Sequence, residues 1–153
     1  MKSVLISIKP KWVEKIANKE KTIEVRKTRP KIKTPFKCYI YCTIGNGIKG
    51  DYLIPSNLQC GKVIGEFVCD KVYSIKNQGN SFVVANEEQG VTNEIARQSC
   101  LDYDDMFGYL GNKDGYGWHI SDLKIYDKPL LLSELGVTRP PQSYMFVEEL
   151  KEV

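Results

Sequence analysis

Histidine is nearly missing from this sequence: His119 is the only one, and it has no metal-ligand spacing with any cysteine. The five cysteines, Cys38, Cys42, Cys60, Cys69 and Cys100, include no CxxC pair. They read as buried free thiols acting as small apolar residues, and neither a metal nor another cofactor is expected. No stretch approaches the roughly 18 consecutive apolar residues of a membrane span. The apolar run near the start is too short for a signal peptide, so a cytoplasmic location without a membrane partner is expected. Internal repeats, low-complexity tracts and linkers are also lacking. Gly45-Asn46-Gly47-Ile48-Lys49-Gly50 opens a long loop running to about Gly61, but the GxxxxGK-Ser/Thr pattern is absent, which excludes a P-loop. The acidic trio Asp102, Asp104 and Asp105 lacks the spaced ligands of a calcium loop. It suits a helix N-terminus instead.

What the chain does have is charge, unevenly placed. Its net charge is only +3 over 153 residues. Residues 1–37 nevertheless carry twelve Lys/Arg against three Asp/Glu, and the remainder ten against sixteen. The basic third can neutralise phosphates, or folding can mix it with the acidic remainder. Charge alone leaves both open. The composition, 42% hydrophobic and 27% charged, suits one globular domain spanning 1–153.

Val4 to Ile8 reads as a short buried strand, and Pro10 suits the first position of a helix. In that helix Trp12, Val13 and Ile16 form an apolar stripe. Residues 22–26 alternate, with Ile23 and Val25 on one face and Thr22, Glu24 and Arg26 on the other. Lys27 to Lys37 is a loop or irregular edge containing Pro30 and Pro35. Strand 38–43 follows, with Cys38, Ile40 and Cys42 on one face. Residues 62–75 form a long strand, bent at Gly65. After a turn at 77–80 comes a short strand, Phe82 to Val84. Thr92 or Asn93 caps one helix, and Asp102 caps the next, which Gly111 ends. Gly115 to Tyr126 is a further strand, a turn falls at Ser133 to Leu135, residues 139–143 are a stiff loop, and Tyr144 to Leu150 closes the sheet. Six or seven strands, mostly without intervening helices, and three short helices argue for an α+β curved sheet or barrel.

Three stretches resemble the ASCH (activating signal cointegrator homology) family of the PUA-like superfamily. The first is Ser7-Ile8-Lys9-Pro10-Lys11-Trp12 followed by Lys19-Glu20-Lys21-Thr22-Ile23-Glu24-Val25-Arg26, which carries a K-T-x-E-x-R strand. The second pairs Tyr39-Ile40-Tyr41-Cys42-Thr43 with Val63-Ile64-Gly65-Glu66-Phe67. The third runs from Gly115-Tyr116-Gly117-Trp118-His119-Ile120 through Pro129 to Arg139-Pro140-Pro141-Gln142-Ser143. The resemblance implies a PUA-like β-barrel with helices packed on it. It also implies a cleft lined by the first helix, the K-T-x-E-x-R strand and the closing loop, in a family linked to RNA metabolism, translation-linked regulation or nucleoside chemistry.

The side chains suit a nucleic-acid or modified-nucleotide ligand, RNA above all. Lys9, Lys21, Arg26 and Arg139 supply positive charge, the arginines with the geometry to grip phosphate. Gln142 and Ser143 can read a base edge, and Thr43, at the end of strand 38–43, is a further binding candidate. Trp12, Tyr41 and Trp118 fit either of two roles, stacking on a base or filling the core. Glu24 and Arg26 also fit a simple ion pair.

An enzyme is the alternative. Some ASCH proteins are amidohydrolases that deacetylate N4-acetylcytidine with a lysine and a threonine from this strand and a glutamate further along. Lys21 falls on that lysine, and Glu24 occupies the threonine's position. The resemblance then makes Lys21 an oxyanion donor and Glu24 a base for water, without the family nucleophile. Thr22 is a neighbouring hydroxyl, and Glu66 and Glu88 are the candidates for the distant glutamate. A metal-independent ribonuclease, with Glu24 as base and Lys21 or Arg26 as stabiliser, is the further enzyme reading. His119 is expected only to pack in its strand. The oligomeric state has no sequence signal.

Overall fold

The computed structural model describes residues 2–44, 60–79, 81–84 and 91–151. The elements in chain order are β1 (Lys2–Ile8), α1 (Pro10–Ala17), β2 (Ile23–Arg26), β3 (Phe36–Cys42), β4 (Val63–Asn77) and β5 (Phe82–Val84). They continue with α2 (Val91–Ser99), α3 (Tyr103–Leu110), β6 (Gly115–Leu130), a 3-10 turn (Leu132–Leu135) and β7 (Tyr144–Glu148). The long loop expected after Gly45 falls almost wholly outside the described residues, as do Glu88 and Asn80. None of the described helices is long and apolar enough to cross a membrane.

Local chemistry accounts for most of these boundaries. Pro10 opens α1 where its missing N–H costs nothing. Asp102 caps α3 through a capping box with Asp105, and Gly111 ends it with a φ of 64°. Helix α2 starts earlier than expected: Thr92 and Asn93 lie inside it and do not precede it. Strand β6 runs on to Leu130 because its second half keeps pairing with the start of β4.

The seven strands form one sheet in the order β2-β6-β4-β3-β1-β7, with β5 added to the far end of β4. Among the described residues β1 and β3 pair in parallel, and the other ladders are antiparallel. Three register shifts between β4 and β6, and one between β3 and β4 after Ile40, curl the sheet. Among the described residues no backbone ladder joins β2 to β7, so the barrel is curled and not closed by hydrogen-bonded strands. Side chains cross the seam instead. The Trp118 ring of β6 meets Tyr144 of β7 at 5.4 Å and Phe36 at 5.9 Å.

Strand periodicity sorts the core into layers. Val4, Ile6, Ile8, Cys38, Ile40, Cys42 and Trp118 fill the hollow of the curl together with α1. Leu5, Tyr39, Tyr41 and Val63 point outward under Leu135 and Val137. Ile23 and Val25 pack on Ile75, Phe82, Ile95 and Met106, beneath α2 and α3. Both faces of β1 are therefore covered, which explains its continuous apolar run.

Gly65 permits a close approach of β4 to β6: a Cβ there would lie 2.5 Å from the Lys124 carbonyl oxygen. Gly65→Ala is expected to lower stability by about 1–3 kcal/mol. Gly108→Ala, in α3 with open space around it, should raise stability by roughly 0.5–1 kcal/mol. Urea unfolding midpoints of the two variants check both signs.

Candidate functional site

The alternation of β2 divides its side chains between two environments. Ile23 and Val25 enter the apolar layer under the helices. Glu24 and Arg26 turn the other way, toward β1 and the segment that precedes β7. Both are buried, and Lys21, just before the strand, is only 2% exposed.

These three form a chain of charge. The Arg26 guanidinium donates from Nε to Glu24 Oε1 at 3.2 Å, from Nη2 to the Ser7 carbonyl oxygen at 2.6 Å and from Nη1 to Ser143 Oγ at 3.3 Å. Lys21 Nζ donates to the Ser99 carbonyl oxygen at 2.5 Å and stands 3.7 Å from Glu24 Oε2, an ion pair too long for a hydrogen bond. Lys21 Nζ also lies 4.9 Å from the centre of the Trp12 ring, and Lys11 Nζ lies 4.7 Å from it. Glu24 Oε2 is buried and has no hydrogen-bond partner among the described residues. The Lys21 ammonium offsets its charge, but no donor among the described residues replaces the hydrogen bonds to water that it loses on burial. Burial lowers the Lys21 pKa, an effect that the nearby Glu24 charge opposes without cancelling.

The closing loop is fastened to the same place. Ser7 Oγ donates to the Pro141 carbonyl oxygen at 2.6 Å, and Ser7 N donates to the Ser143 carbonyl oxygen at 2.9 Å. Arg139, Gln142 and, beyond β1, Lys9 are exposed. Among the described residues the Lys9 and Arg139 side chains have no ion-pair partner. Thr43 N donates to the Ile8 carbonyl oxygen at 3.0 Å, which puts half-buried Thr43 at the same end of the sheet as Lys9.

Lys21, Glu24, Arg26, Ser143 and Trp12 thus meet in one cluster, with Lys9, Arg139, Gln142 and Thr43 on adjoining backbone. Trp118 and Tyr41 do not offer stacking faces. Trp118 is wholly buried between Phe36 and Tyr144, its Nε1 donating to the Thr28 carbonyl oxygen at 3.3 Å. Tyr41 is 5% exposed and sits in the outer layer, because odd-numbered residues of β3 point away from the hollow. Glu66 is also elsewhere, held in that outer region by Tyr126 and Lys37. The Thr22 hydroxyl is engaged by Gln98 at 3.4 Å.

Two arrangements gave no sequence signal. His119 Nδ1 meets Asp70 Oδ1 at 2.6 Å across the β4–β6 bulge, so it is paired as well as packed. A mainly apolar cavity of about 290 Å³ lies between β5 and helices α2 and α3, with Ile75, Phe82, Val84, Ile95, Tyr103 and Met106 in its lining. Among the described residues no three His, Cys, Asp or Glu side chains group as metal ligands.

A curled mixed sheet with α1 seated on its hollow and a polar strand beside the closing loop defines an α+β domain. More narrowly, the chain has the ASCH fold. It superposes on the crystal structure of ASCH from Zymomonas mobilis with a TM-score of 0.68 and 18% identity, covering 96% of this chain and 88% of that one. Two single-residue variants of the Zymomonas mobilis protein give TM-scores of 0.67 at 17% identity, again over 96% of this chain and over 91% and 89% of theirs. No protein-family model and no curated protein matches the sequence.

Arg26→Met strips Glu24 of its one hydrogen-bonded cation and frees Ser143 and the Ser7 carbonyl. A stability loss of about 3–5 kcal/mol is expected in urea unfolding. The lowered Lys21 pKa also sets a sign. Between the folded-state pKa and about 10.5 the unfolded chain binds more protons, so this group's contribution rises with pH. The stability gap between wild type and Lys21→Met should therefore move in favour of wild type from pH 7 to 10, as read by parallel urea curves.

Proposed function

We propose that this ASCH-fold domain binds RNA or a nucleotide-like ligand at the end of the sheet where α1, β2 and the closing loop meet. The observation that carries the reading is Glu24 Oε2. It is a buried acceptor held in place by Arg26, without a hydrogen-bond partner among the described residues, and with the Lys21 ammonium 3.7 Å away. That oxygen is out of reach of solvent, so a ligand N–H would satisfy it only where the Lys21 side chain gives way; nucleobases present such donors beside acceptors that an ammonium can meet. Half-buried Trp12 supplies an aromatic surface next to Lys21.

Phosphate binding then falls to Lys9 and Arg139, not to the buried cations. Each of the three Arg26 guanidinium nitrogens already donates a hydrogen bond, to Glu24, Ser7 or Ser143. Lys9 and Arg139 are exposed and lie within two residues of groups bonded at the seam, so they are the cations a backbone can reach. Gln142 and Ser143 add neutral polar contacts.

A second reading, hydrolysis of an N4-acetylcytidine-type amide, is favoured by the same carboxylate together with the depressed Lys21 pKa. Both are ways of readying a proton-transfer pair. Glu24 would act as base toward water and Lys21 as donor to the developing oxyanion.

Titration with a short single-stranded RNA at about 50 mM and 200 mM salt separates these readings. Binding that weakens at the higher salt is expected, with Lys9→Ala and Arg139→Ala each reducing the log–log salt slope by about 0.7. Absent or salt-insensitive binding overturns the proposal. Incubation with N4-acetylcytidine tests the second reading: turnover abolished by Lys21→Ala moves the assignment to an amidohydrolase. Shortening of the RNA during the titration, lost in Glu24→Gln, moves it to a ribonuclease.

A further inference from the structure

Two cysteines far apart in sequence come together at the mouth of the sheet. Cys42, the last residue of β3, and Cys60, in the turn before β4, have their Sγ atoms 3.4 Å apart. The backbone fixes this meeting. Gly61 N donates to the Cys42 carbonyl oxygen at 2.7 Å, and Cys42 N donates to the Lys62 carbonyl oxygen at 3.1 Å. Gly61 takes a φ of 82°, and a Cβ there would meet Ile44 Cδ1 at 2.9 Å, so the turn that returns Cys60 to Cys42 requires glycine. The other thiols differ: Cys38 and Cys69 are buried in strands, and half-buried Cys100 lies beyond α2.

We infer that Cys42 and Cys60 are a thiol-disulfide exchange site, at which an oxidised low-molecular-weight disulfide such as glutathione disulfide closes an intramolecular bond that pins the end of β3 to the start of β4. Cys60 is the more accessible partner and takes the first step. Its thiolate attacks one sulfur of glutathione disulfide, a protein–glutathione bond forms, and one glutathione thiolate leaves. Cys42 then loses its proton to solvent and attacks Cys60 Sγ. The second glutathione thiolate leaves and takes up a proton. Two protein thiols are oxidised by two electrons, and one glutathione disulfide is reduced to two thiols.

The sulfurs must draw closer by about 1.4 Å to reach a bond of roughly 2.0 Å. Side-chain rotation can supply this while the paired backbone stays in place. Burial and the neighbouring Cys60 thiol hold the Cys42 thiol well above its ordinary pKa. Closure therefore accelerates as pH rises and more of the Cys42 thiol ionises. The bond spans residues 42–60 and so limits the unfolded chain. A rise in thermal midpoint of roughly 5–10 °C accompanies closure.

The test incubates the full folded chain with glutathione disulfide, traps remaining thiols by alkylation, and reads intact mass and cross-linked peptides. The expected product has lost the mass of two hydrogens, carries a Cys42–Cys60 linked peptide, and reverts with dithiothreitol. Its formation is faster at pH 9 than at pH 7. Cys60→Ser abolishes it, and Cys42→Ser stops at a glutathione adduct on Cys60. Urea should remove the preference for this pair, which separates folded geometry from simple reactivity. Persistence of both thiols in the free state, or linkage of either one mainly to Cys38, Cys69 or Cys100, overturns the proposal.

Discussion

The guanidinium of Arg26 joins parts of the sheet that, among the described residues, no backbone ladder connects. It sits on β2, at one end of the strand order, and bonds to β1 through the Ser7 carbonyl and to the approach of β7 through Ser143. Five fixed donors in one plane suit this task, because one side chain can satisfy acceptors from several segments at once. Glu24 offsets its charge from the same strand. Without that carboxylate, a buried guanidinium beside a buried ammonium would repel and lose solvation together.

The arrangement divides the cations into two populations. Lys21 and Arg26 are buried and occupied, holding the seam and the Trp12 ring in place. Lys9 and Arg139 are exposed on the segments that the seam fixes. The charge excess of the first 37 residues therefore does not translate directly into a phosphate-binding surface. Part of it is consumed in architecture. What remains is a small set of exposed charges beside an incompletely satisfied carboxylate.

Other ends of the sheet are secured by different chemistry. Lys37 bridges Glu66 and Glu149 at 3.2 and 2.8 Å, which ties the chain after β7 to β3 and β4. Leu150 N donates to the Tyr39 hydroxyl at 2.9 Å in the same region. Cys42 and Cys60 mark the mouth of the sheet, where backbone pairing already aligns two thiols. Charge, hydroxyl and sulfur thus each fasten a point where strand pairing runs out.

Much of the architecture was legible in the sequence, because it follows from interactions between near neighbours. Alternation at Ile23, Glu24, Val25 and Arg26 predicts the two faces of β2, and Pro10, Asp102 and Gly111 mark helix ends through local backbone rules. The K-T-x-E-x-R strand and the Arg139-to-Ser143 loop likewise pointed to the fold and to residues that do meet. Periodicity, however, reports only which residues share a face and not what covers that face. Trp118 and Tyr41 therefore looked equally able to stack or to pack until the curl placed one in the hollow and the other under the 3-10 turn. The partners of Arg26, the unsatisfied oxygen of Glu24 and the Cys42–Cys60 approach join residues separated by long stretches of chain. Local spacing carries no information about such contacts; the bulges and curvature of the sheet decide them.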